Sequence, residues 1–220
     1  MAVLQLDILG SPNIGTYCYS NDKICLAPFG LTKKKINQIS NCLDVTVYPF
    51  GAAGSILNGV LIAANSNGIV LPHTITDEEA REARAPGLPV MVLNSRYTAL
   101  GNLILANDKG AIVDPRFSQQ EINQLQDILN VEVVKGEIAG LPYVGSLAIT
   151  TNKGTLTHPN IKDHERTLLE ETLKVTSESG TINGGVPFPK LGVIANSRGL
   201  ITGPLTTGYE LAAVTRALQL

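Results

Sequence analysis

The residues that could perform chemistry in this chain are few. Three cysteines, Cys18, Cys25 and Cys42, all lie within the first fifth of the 220 residues. A catalytic thiolate needs a base within reach, and a zinc site needs further cysteine or histidine ligands at short spacing. No C-x-x-C pair and no cluster of histidines accompanies these cysteines. We therefore expect reduced, partly buried thiols rather than a disulfide framework or a zinc site.

The three histidines, His73, His158 and His164, form no metal-binding pattern, so a metal site is disfavoured. The chain also lacks the G-x-x-x-x-G-K-[ST] loop, a G-x-G-x-x-G motif after a strand, and the H-E-x-x-H motif. Nucleotide binding and metalloprotease chemistry are therefore without support. We expect no metal, no cofactor and no small-molecule substrate.

The composition indicates a soluble protein that works through a protein surface. The formal net charge is −2, and charged residues make up only 16% of the chain. Proteins that hold nucleic acid by its phosphates carry a basic excess, so any nucleic-acid contact should be local and secondary. No secretory signal pattern is present at the N-terminus, and no apolar run reaches about 18 residues. We expect a cytoplasmic protein without membrane contact.

The elements that position any functional residue follow from a repeated hairpin. In Ala99–Pro115, two β-prone runs flank the polar turn Asn107–Gly110, and a proline ends the second run. This pattern occurs five times, and its proline recurs every 43 to 45 residues, at Pro28, Pro72, Pro115, Pro159 and Pro204. A glycine assigned to the first strand precedes each proline, namely Gly15, Gly59, Gly101, Gly145 and Gly192. A constant period of this size is typical of a repeat protein.

After each proline the apolar period changes from two to about 3.6, which predicts a helix. Residues suited to helix N-termini mark where these helices start, because their side chains can satisfy free backbone N–H groups. They are Thr32, Thr76 with Glu79, Ser118 with Glu121, Asp163, and Thr207 with Glu210. A short β run follows most of the helices, so each unit is predicted to contain strand, strand, helix and strand.

The two ends of the chain favour a closed ring. The fifth unit finishes on its helix at Leu220, which leaves no residues for its third strand. The apolar run Val3–Ile8 can supply that strand and close the ring. We therefore predict an α/β fold in one domain, residues 1–220, with five ββαβ units of about 44 residues. The units cover approximately residues 10–53, 54–96, 97–140, 141–186 and 187–220, and residues 1–9 complete the last.

Five such units closed by the N-terminal strand resemble the pentein fold, a five-fold pseudosymmetric α/β propeller. Four motifs in combination resemble the translation initiation factor 6 family, and the resemblance covers essentially the whole chain. They are TALGNLILANDKG (98–110), VGS with TNKGTLTHP (144–146 and 151–159), GSILNGVLIAANSNGIVLP (54–72) and TTGYEL (206–211). The end of the chain after the fifth helix is similar to the archaeal form, whereas the eukaryotic proteins carry a C-terminal tail.

This resemblance implies a function without chemistry. The family binds the joining face of the large ribosomal subunit and sterically blocks premature association with the small subunit. It docks on a ribosomal protein at that face, close to the sarcin–ricin loop of the ribosomal RNA. A protein–protein interface of about 800 Å² per partner would be enough for stable docking. We expect a monomer that is not an enzyme.

The candidate partner-binding residues lie around the repeat glycines, which are themselves expected to allow close backbone packing. Asn58 and Asn102 place amides that could hydrogen-bond a partner backbone, or simply cap a turn. Arg96 and Tyr97 belong to types enriched in interface hot spots, although a solvated loop pair is the alternative. The equivalent positions at the start of units one and four are Asn13, Ile14 and Tyr143.

The run Lys33, Lys34 and Lys35 is the one basic run of the sequence. Three cations in the first turn of a helix oppose the helix dipole. This local misfit suggests a contact with ribosomal RNA, and a solvated helix face is the alternative.

Two other functions remain open on the sequence. Enzymes of the pentein fold, similar to amidinotransferases and arginine deiminases, use a cysteine nucleophile late in the chain together with histidine and acidic residues. Residues 177–220 contain neither cysteine nor histidine, which argues against such a guanidine-modifying enzyme. A scaffold repeat protein with a different partner is the third possibility, and composition alone does not exclude it.

Overall fold

The computed structural model describes residues 2–220. Within this range the helices and strands occur in an order that repeats from unit to unit. A unit begins with a one-turn helix and continues through a two-strand hairpin, a longer helix and a third strand. The strands are β1 (Ala2–Gln5), β2 (Tyr19–Ser20), β3 (Ile24–Ala27), β4 (Thr46–Pro49), β5 (Ala63–Ala64), β6 (Ile69–Pro72), β7 (Val90–Leu93), β8 (Ile104–Ala106), β9 (Gly110–Val113), β10 (Glu132–Lys135), β11 (Ala148–Thr150), β12 (Gly154–Thr157), β13 (Thr176–Ser179), β14 (Val193–Ala195) and β15 (Gly199–Thr202). The one-turn helices are α1 (Ile14–Tyr17), α3 (Asn58–Leu61), α5 (Leu100–Leu103), α7 (Val144–Leu147) and α9 (Pro189–Gly192). The longer helices are α2 (Lys33–Leu43), α4 (Asp77–Glu82), α6 (Gln119–Leu129), α8 (Asp163–Leu173) and α10 (Gly208–Ala217).

The strands of residues 2–220 form five three-stranded sheets. In each sheet the middle strand pairs antiparallel with its hairpin partner and parallel with the third strand. In the first unit, Tyr19 of β2 pairs with Leu26 of β3, and Ile24 of β3 pairs with Thr46 of β4. Parallel strands need a crossover, which the longer helix provides. The result is a mixed α/β fold consistent with a five-fold repeat.

The fifth sheet takes its third strand from the other end of the chain. Strand β1 lies parallel to β15, with Ala2 opposite Gly199 and Gln5 opposite Thr202. The backbone N–H of Leu6 extends the pairing by donating to the carbonyl of Thr202 over 3.0 Å. The prediction that the apolar run Val3–Ile8 supplies this strand is confirmed for Val3–Gln5, whereas Leu6–Ile8 lie beyond the end of the strand.

Neighbouring units share their hydrophobic cores. The core around Leu125 of α6 contains Val113 of the same unit and Val70 of the preceding sheet. The core around Ile39 of α2 contains Ile194 from the fifth unit. The first and last units are therefore joined by packing as well as by strand pairing.

The repeat glycines do not lie in strands, which corrects the sequence prediction. Gly15, Gly59, Gly101 and Gly145 each occupy the second position of a one-turn helix. These helices pack so closely that a Cβ atom at Gly59 would lie 1.9 Å from the carbonyl oxygen of Gly15. The close approach of two backbones, rather than strand geometry, therefore requires glycine here.

The fifth unit departs from this pattern. The second position of α9 is Lys190, and the predicted repeat glycine Gly192 lies two residues later, at the end of the helix. The one-turn helices contact one another in chain order, and α9 also contacts α1. A Cβ atom at Gly15 would lie 1.9 Å from the carbonyl oxygen of Lys190. Lys190 is thus the structural equivalent of the four glycines.

The longer helices begin where their capping residues predict. The Thr32 side chain accepts a hydrogen bond from the backbone N–H of Lys35, and α8 begins at Asp163. The three predicted capping boxes are all present, at Thr76 with Glu79, Ser118 with Glu121, and Thr207 with Glu210. These local signals are reliable because each satisfies backbone N–H groups that have no partner within the helix.

Candidate docking surface

The connections from each third strand to the next one-turn helix form the candidate surface, which we call the linker surface. It comprises residues 6–13, 50–57, 94–99, 136–143 and 180–188. Helix N-termini hold several of these linkers in place, because a capping glutamate also accepts backbone N–H groups from the linker. Glu79 accepts from Gly54 over 2.7 Å, and Glu165 accepts from Gly140 over 2.8 Å. The linker surface is therefore tied to the rigid elements.

Large apolar side chains are exposed along the linker surface. They are Leu9, Ile56, Leu57, Leu141 and Tyr143. Single exposed apolar residues are ordinary, but several within a few equivalent linkers are consistent with an interaction site.

The third linker differs from the other four. Residues 94–99 number six, whereas the other linkers have eight or nine. Each of the others contains an isolated β-bridge, such as Ile138 with Leu141, and within residues 2–220 the third linker has none. It carries Arg96 and Tyr97 in place of that bridge. A cleft of about 490 Å³ opens between this linker and the start of α6.

Two arginines and two tyrosines stack beside this cleft, and we call them the arginine–tyrosine cluster. The guanidinium carbon of Arg96 lies 4.7 Å from the ring centroid of Tyr97, and its Nη2 donates to the Tyr97 hydroxyl. The guanidinium carbon of Arg116 lies 5.4 Å from the Tyr97 ring centroid and 5.7 Å from that of Tyr143. Both distances are within cation–π range. The structure thus brings together Arg96, Tyr97 and Tyr143, three of the predicted site residues.

Arg116 was not among the predicted residues, and a buried carboxylate orients it. Its Nε donates to Oδ1 of Asp114 over 2.9 Å, and its Nη2 donates to Oδ2 over 2.5 Å. Burial alone would raise the pKa of Asp114, but the hydrogen bonds from the Arg116 side chain and backbone hold that pKa below its ordinary value. The sequence marks Arg116 only as the arginine that directly follows a repeat proline, which does not by itself predict its contacts with the two tyrosines.

Asn102 lies on α5 with its side-chain amide unpaired. It is half-buried, and its side chain makes no hydrogen bond to any of residues 2–220. A Cβ atom at Gly145 would lie 2.9 Å from the backbone carbonyl carbon of Asn102, so Asn102 adjoins the helix that Tyr143 precedes. An unpaired amide can both donate to and accept from a partner backbone.

Comparison with known proteins assigns the family. The model of the eIF-6 family matches residues 3–217. The chain belongs to the eIF-6 family. Translation initiation factor 6 of Nitrosopumilus maritimus is 47% identical over 218 residues, which cover 99% of each chain. Translation initiation factor 6 of Pyrococcus furiosus is 47% identical over 224 residues, again covering 99% of each chain.

A third eIF-6 family relative, translation initiation factor 6 of Staphylothermus marinus, is 40% identical over 223 residues. These residues cover 100% of this chain and 98% of the relative. The relatives are archaeal, and their shared name supports a role in translation initiation for this member of the eIF-6 family.

Two of the predicted docking residues are inaccessible in this eIF-6 family member. Ile14 and Asn58 are fully buried. The Asn58 amide donates to the carbonyl of Phe50, in the linker that precedes α3, over 2.8 Å. Both side chains serve packing or local hydrogen bonding, which corrects their assignment to the docking set. Asn13 is half-buried, and its side-chain oxygen accepts from Asn183 over 3.3 Å.

The basic run divides into two parts. Lys35 occupies the helix position where other units have the capping glutamate, and its Nζ donates to Oδ2 of Asp7 over 2.7 Å. This ion pair fixes the first linker, so Lys35 is not free to contact RNA. Lys33 and Lys34 are exposed and form no ion pair within residues 2–220.

No group of three or more cysteine, histidine, aspartate or glutamate side chains in residues 2–220 is arranged to hold a metal ion. Every helix in the same range is too short or too polar to cross a lipid bilayer.

Proposed function

We propose that this protein is a ribosome anti-association factor that binds the joining face of the large ribosomal subunit and sterically blocks premature joining of the small subunit. Membership of the eIF-6 family supports it. The structural observation that carries it is the arginine–tyrosine cluster of Arg96, Tyr97, Arg116 and Tyr143. Arginine and tyrosine are enriched in protein-interface hot spots, and Arg96 and Tyr143 of this cluster are exposed.

The proposed partner is a ribosomal protein at the joining face, near the sarcin–ricin loop. A partner backbone would hydrogen-bond to Asn102, and its side chains would pack over Tyr143, which is 45% exposed. Lys33 and Lys34 are the proposed contacts to ribosomal RNA. Because its net charge is −2, the chain is better suited to binding a protein than to binding nucleic acid over an extended surface.

We also propose that the five sheets close into the pentein ring within a single domain, residues 1–220. Strand β1 of the N-terminus pairs with β15, and α9 contacts α1. In a closed ring the five linkers lie on one face, with the linker surface directed to one partner. A rigid ring on the joining face would occupy the space that the small subunit needs.

The same proposal holds that the protein is a cytoplasmic monomer without enzymatic activity. The thiols are poorly suited to catalysis because all three cysteines are buried. A hydrogen bond with Cys25, together with burial, raises the pKa of Cys18. Burial likewise raises the pKa of Cys42. Thiolates, the reactive forms, are therefore disfavoured.

Binding to purified archaeal large subunits tests this proposal. Wild-type protein is sedimented with large and small subunits separately, and the dissociation constant for the large subunit is measured. We expect Asn102→Ala and Arg96→Ala to weaken binding at least about 5-fold, or about 1 kcal/mol. Arg84→Ala, at an exposed position outside the linker surface, is the matched control. If neither Asn102→Ala nor Arg96→Ala changed the affinity, the proposal that Asn102 and the arginine–tyrosine cluster bind the large subunit would be contradicted.

A further inference from the structure

Lys190 occupies a position where the other units tolerate no side chain. Four one-turn helices have glycine at their second position, and α9 has lysine. The Lys190 side chain lines a cavity of about 50 Å³, large enough for a few water-sized molecules. The cavity exists because small residues form much of its wall, including Ala63, Ala148 and Ala195.

Polar side chains from the hairpin turns lie across one end of this cavity. The Nδ2 group of Asn152 donates to Oδ2 of Asp22 over 2.7 Å and to Oδ2 of Asp108 over 2.6 Å. Ser197 and Ser66 complete the network, because each donates to one of the two aspartates through both backbone N–H and hydroxyl. Both carboxylates are thus held by neutral donors.

The Lys190 ammonium has no such partner. Within residues 2–220 it makes no hydrogen bond or ion pair, and its Nζ lies 5.0 Å from the centroid of the Tyr19 ring. The other donors around the cavity are already used, since the Tyr19 hydroxyl donates to Ala64 and the Ser20 hydroxyl donates to Ala195. Burial lowers the pKa of Lys190 to about 8, so the amine is still mostly charged at neutral pH.

We propose that this cavity binds one small monovalent anion, of the size of chloride or bromide, against the Lys190 ammonium. An ammonium removed from bulk water interacts strongly with a counter-ion, and no carboxylate of residues 2–220 forms an ion pair with Lys190. The cavity is too small for a metabolite. The carboxylates of Asp22 and Asp108 at its rim repel multivalent anions such as phosphate more strongly than monovalent ones. The site is independent of ribosome binding.

Bromide is the probe, because its anomalous scattering identifies it in a crystal. We expect crystals of the wild-type protein grown in sodium bromide to contain an anomalous peak in the cavity beside the Lys190 amine. The peak should be lost in Lys190→Met and in Lys190→Gln. Two variants are used so that the test still holds if one of them fails to fold. Water alone in the wild-type cavity, or bromide retained in both variants, would overturn the proposal.

A solution measurement accompanies the crystal experiment. Thermal unfolding is followed while sodium bromide replaces sodium fluoride at constant ionic strength. The control is Lys153→Met, which removes an exposed lysine from a hairpin turn. We expect the midpoint to rise with bromide in the wild type and the control, and this rise to be lost in Lys190→Met. An equal rise in all three proteins would indicate a general salt effect and contradict the cavity site.

Discussion

Arg116 shows how the candidate docking surface is built at the level of single residues. It lies between Tyr97 and Tyr143, which come from different units, while buried Asp114 fixes its guanidinium. Residue type alone was enough to predict Arg96 and Tyr97 as candidate partner-binding residues. The role of Arg116 depends on a contact between units that spacing along the chain does not reveal. Burial, which also follows from tertiary packing, removed Asn58 and Ile14 from the set.

Replacing Arg116 should weaken docking, and it also removes the ion-pair partner of the buried Asp114 carboxylate, so the fold must be checked in the same variant. Arg116→Ala removes the cation between the two tyrosines, so we expect about 5- to 30-fold weaker binding to the large subunit, or about 1–2 kcal/mol. Equilibrium binding measures the effect, and circular dichroism checks the fold. Affinity as high as that of Arg84→Ala would contradict a role for the cluster.

Glu210 should make stability depend on acid pH. Burial would raise its pKa, but hydrogen bonds from the backbone of Thr207, Gly184 and Gly185 and from the Thr181 hydroxyl outweigh it and lower the pKa to about 2. Because the folded pKa lies below the ordinary value of 4.5, the stabilisation is fully present above that pH and is lost as pH falls towards 2. We expect Glu210→Gln to lose about 3 kcal/mol at neutral pH.

Urea unfolding at a series of pH values measures this effect. The difference in unfolding free energy between wild type and Glu210→Gln should shrink between pH 4.5 and pH 2. A difference that stays constant across that range would show that ionisation of Glu210 is not the source of the stabilisation.

At the scale of elements, local signals predicted the longer helices but not the one-turn helices. Capping boxes such as Ser118 with Glu121 act within one turn, so the sequence reports them directly. A four-residue segment such as Leu100–Leu103 is too short for a helical period to be distinguished from a strand period. Contact with the neighbouring one-turn helices, which only the assembled fold provides, decides its conformation.

The one-turn helices should tolerate no side chain at their packed glycines. In Gly59→Ala the new methyl group would lie 1.9 Å from a backbone oxygen, so we expect a loss of about 3 kcal/mol or more, or failure to fold. Gly208→Ala is the matched control because a Cβ atom there meets nothing within 4 Å. It should be neutral or stabilising by up to about 1 kcal/mol. Equal stability of the two variants would refute the close packing.

At the scale of the whole molecule, the repeat period predicted the number of units and the pairing of the two chain ends. The position of the fifth repeat glycine was wrong, because Gly192 is simply the nearest glycine in that unit. Lys190 keeps the 14-residue spacing to its proline that Gly101 and Gly145 have, so spacing would have been the better guide. No sequence rule predicts a lysine at a position that is occupied by glycine in each of the other four units.

Strand β1 should support the whole fold. Deleting residues 1–5 leaves the fifth sheet with two strands and removes several ladder hydrogen bonds, each worth about 0.5–1.5 kcal/mol. We expect the unfolding free energy to fall by about 2 kcal/mol or more. Val3→Thr, which changes an exposed side chain of β1 and keeps the strand, is the control. Equal denaturation midpoints for the two variants would contradict the structural role of β1.

The joining of purified archaeal ribosomal subunits tests the central claim most directly. The protein is mixed with equal amounts of large and small subunits, and the joined ribosomes are separated on a sucrose gradient. The account predicts that the protein migrates with the large subunit and lowers the joined fraction as its concentration rises, and that Arg116→Ala needs a higher concentration for the same effect. Binding to neither subunit, equal binding to both, or an unchanged joined fraction at saturation would contradict it.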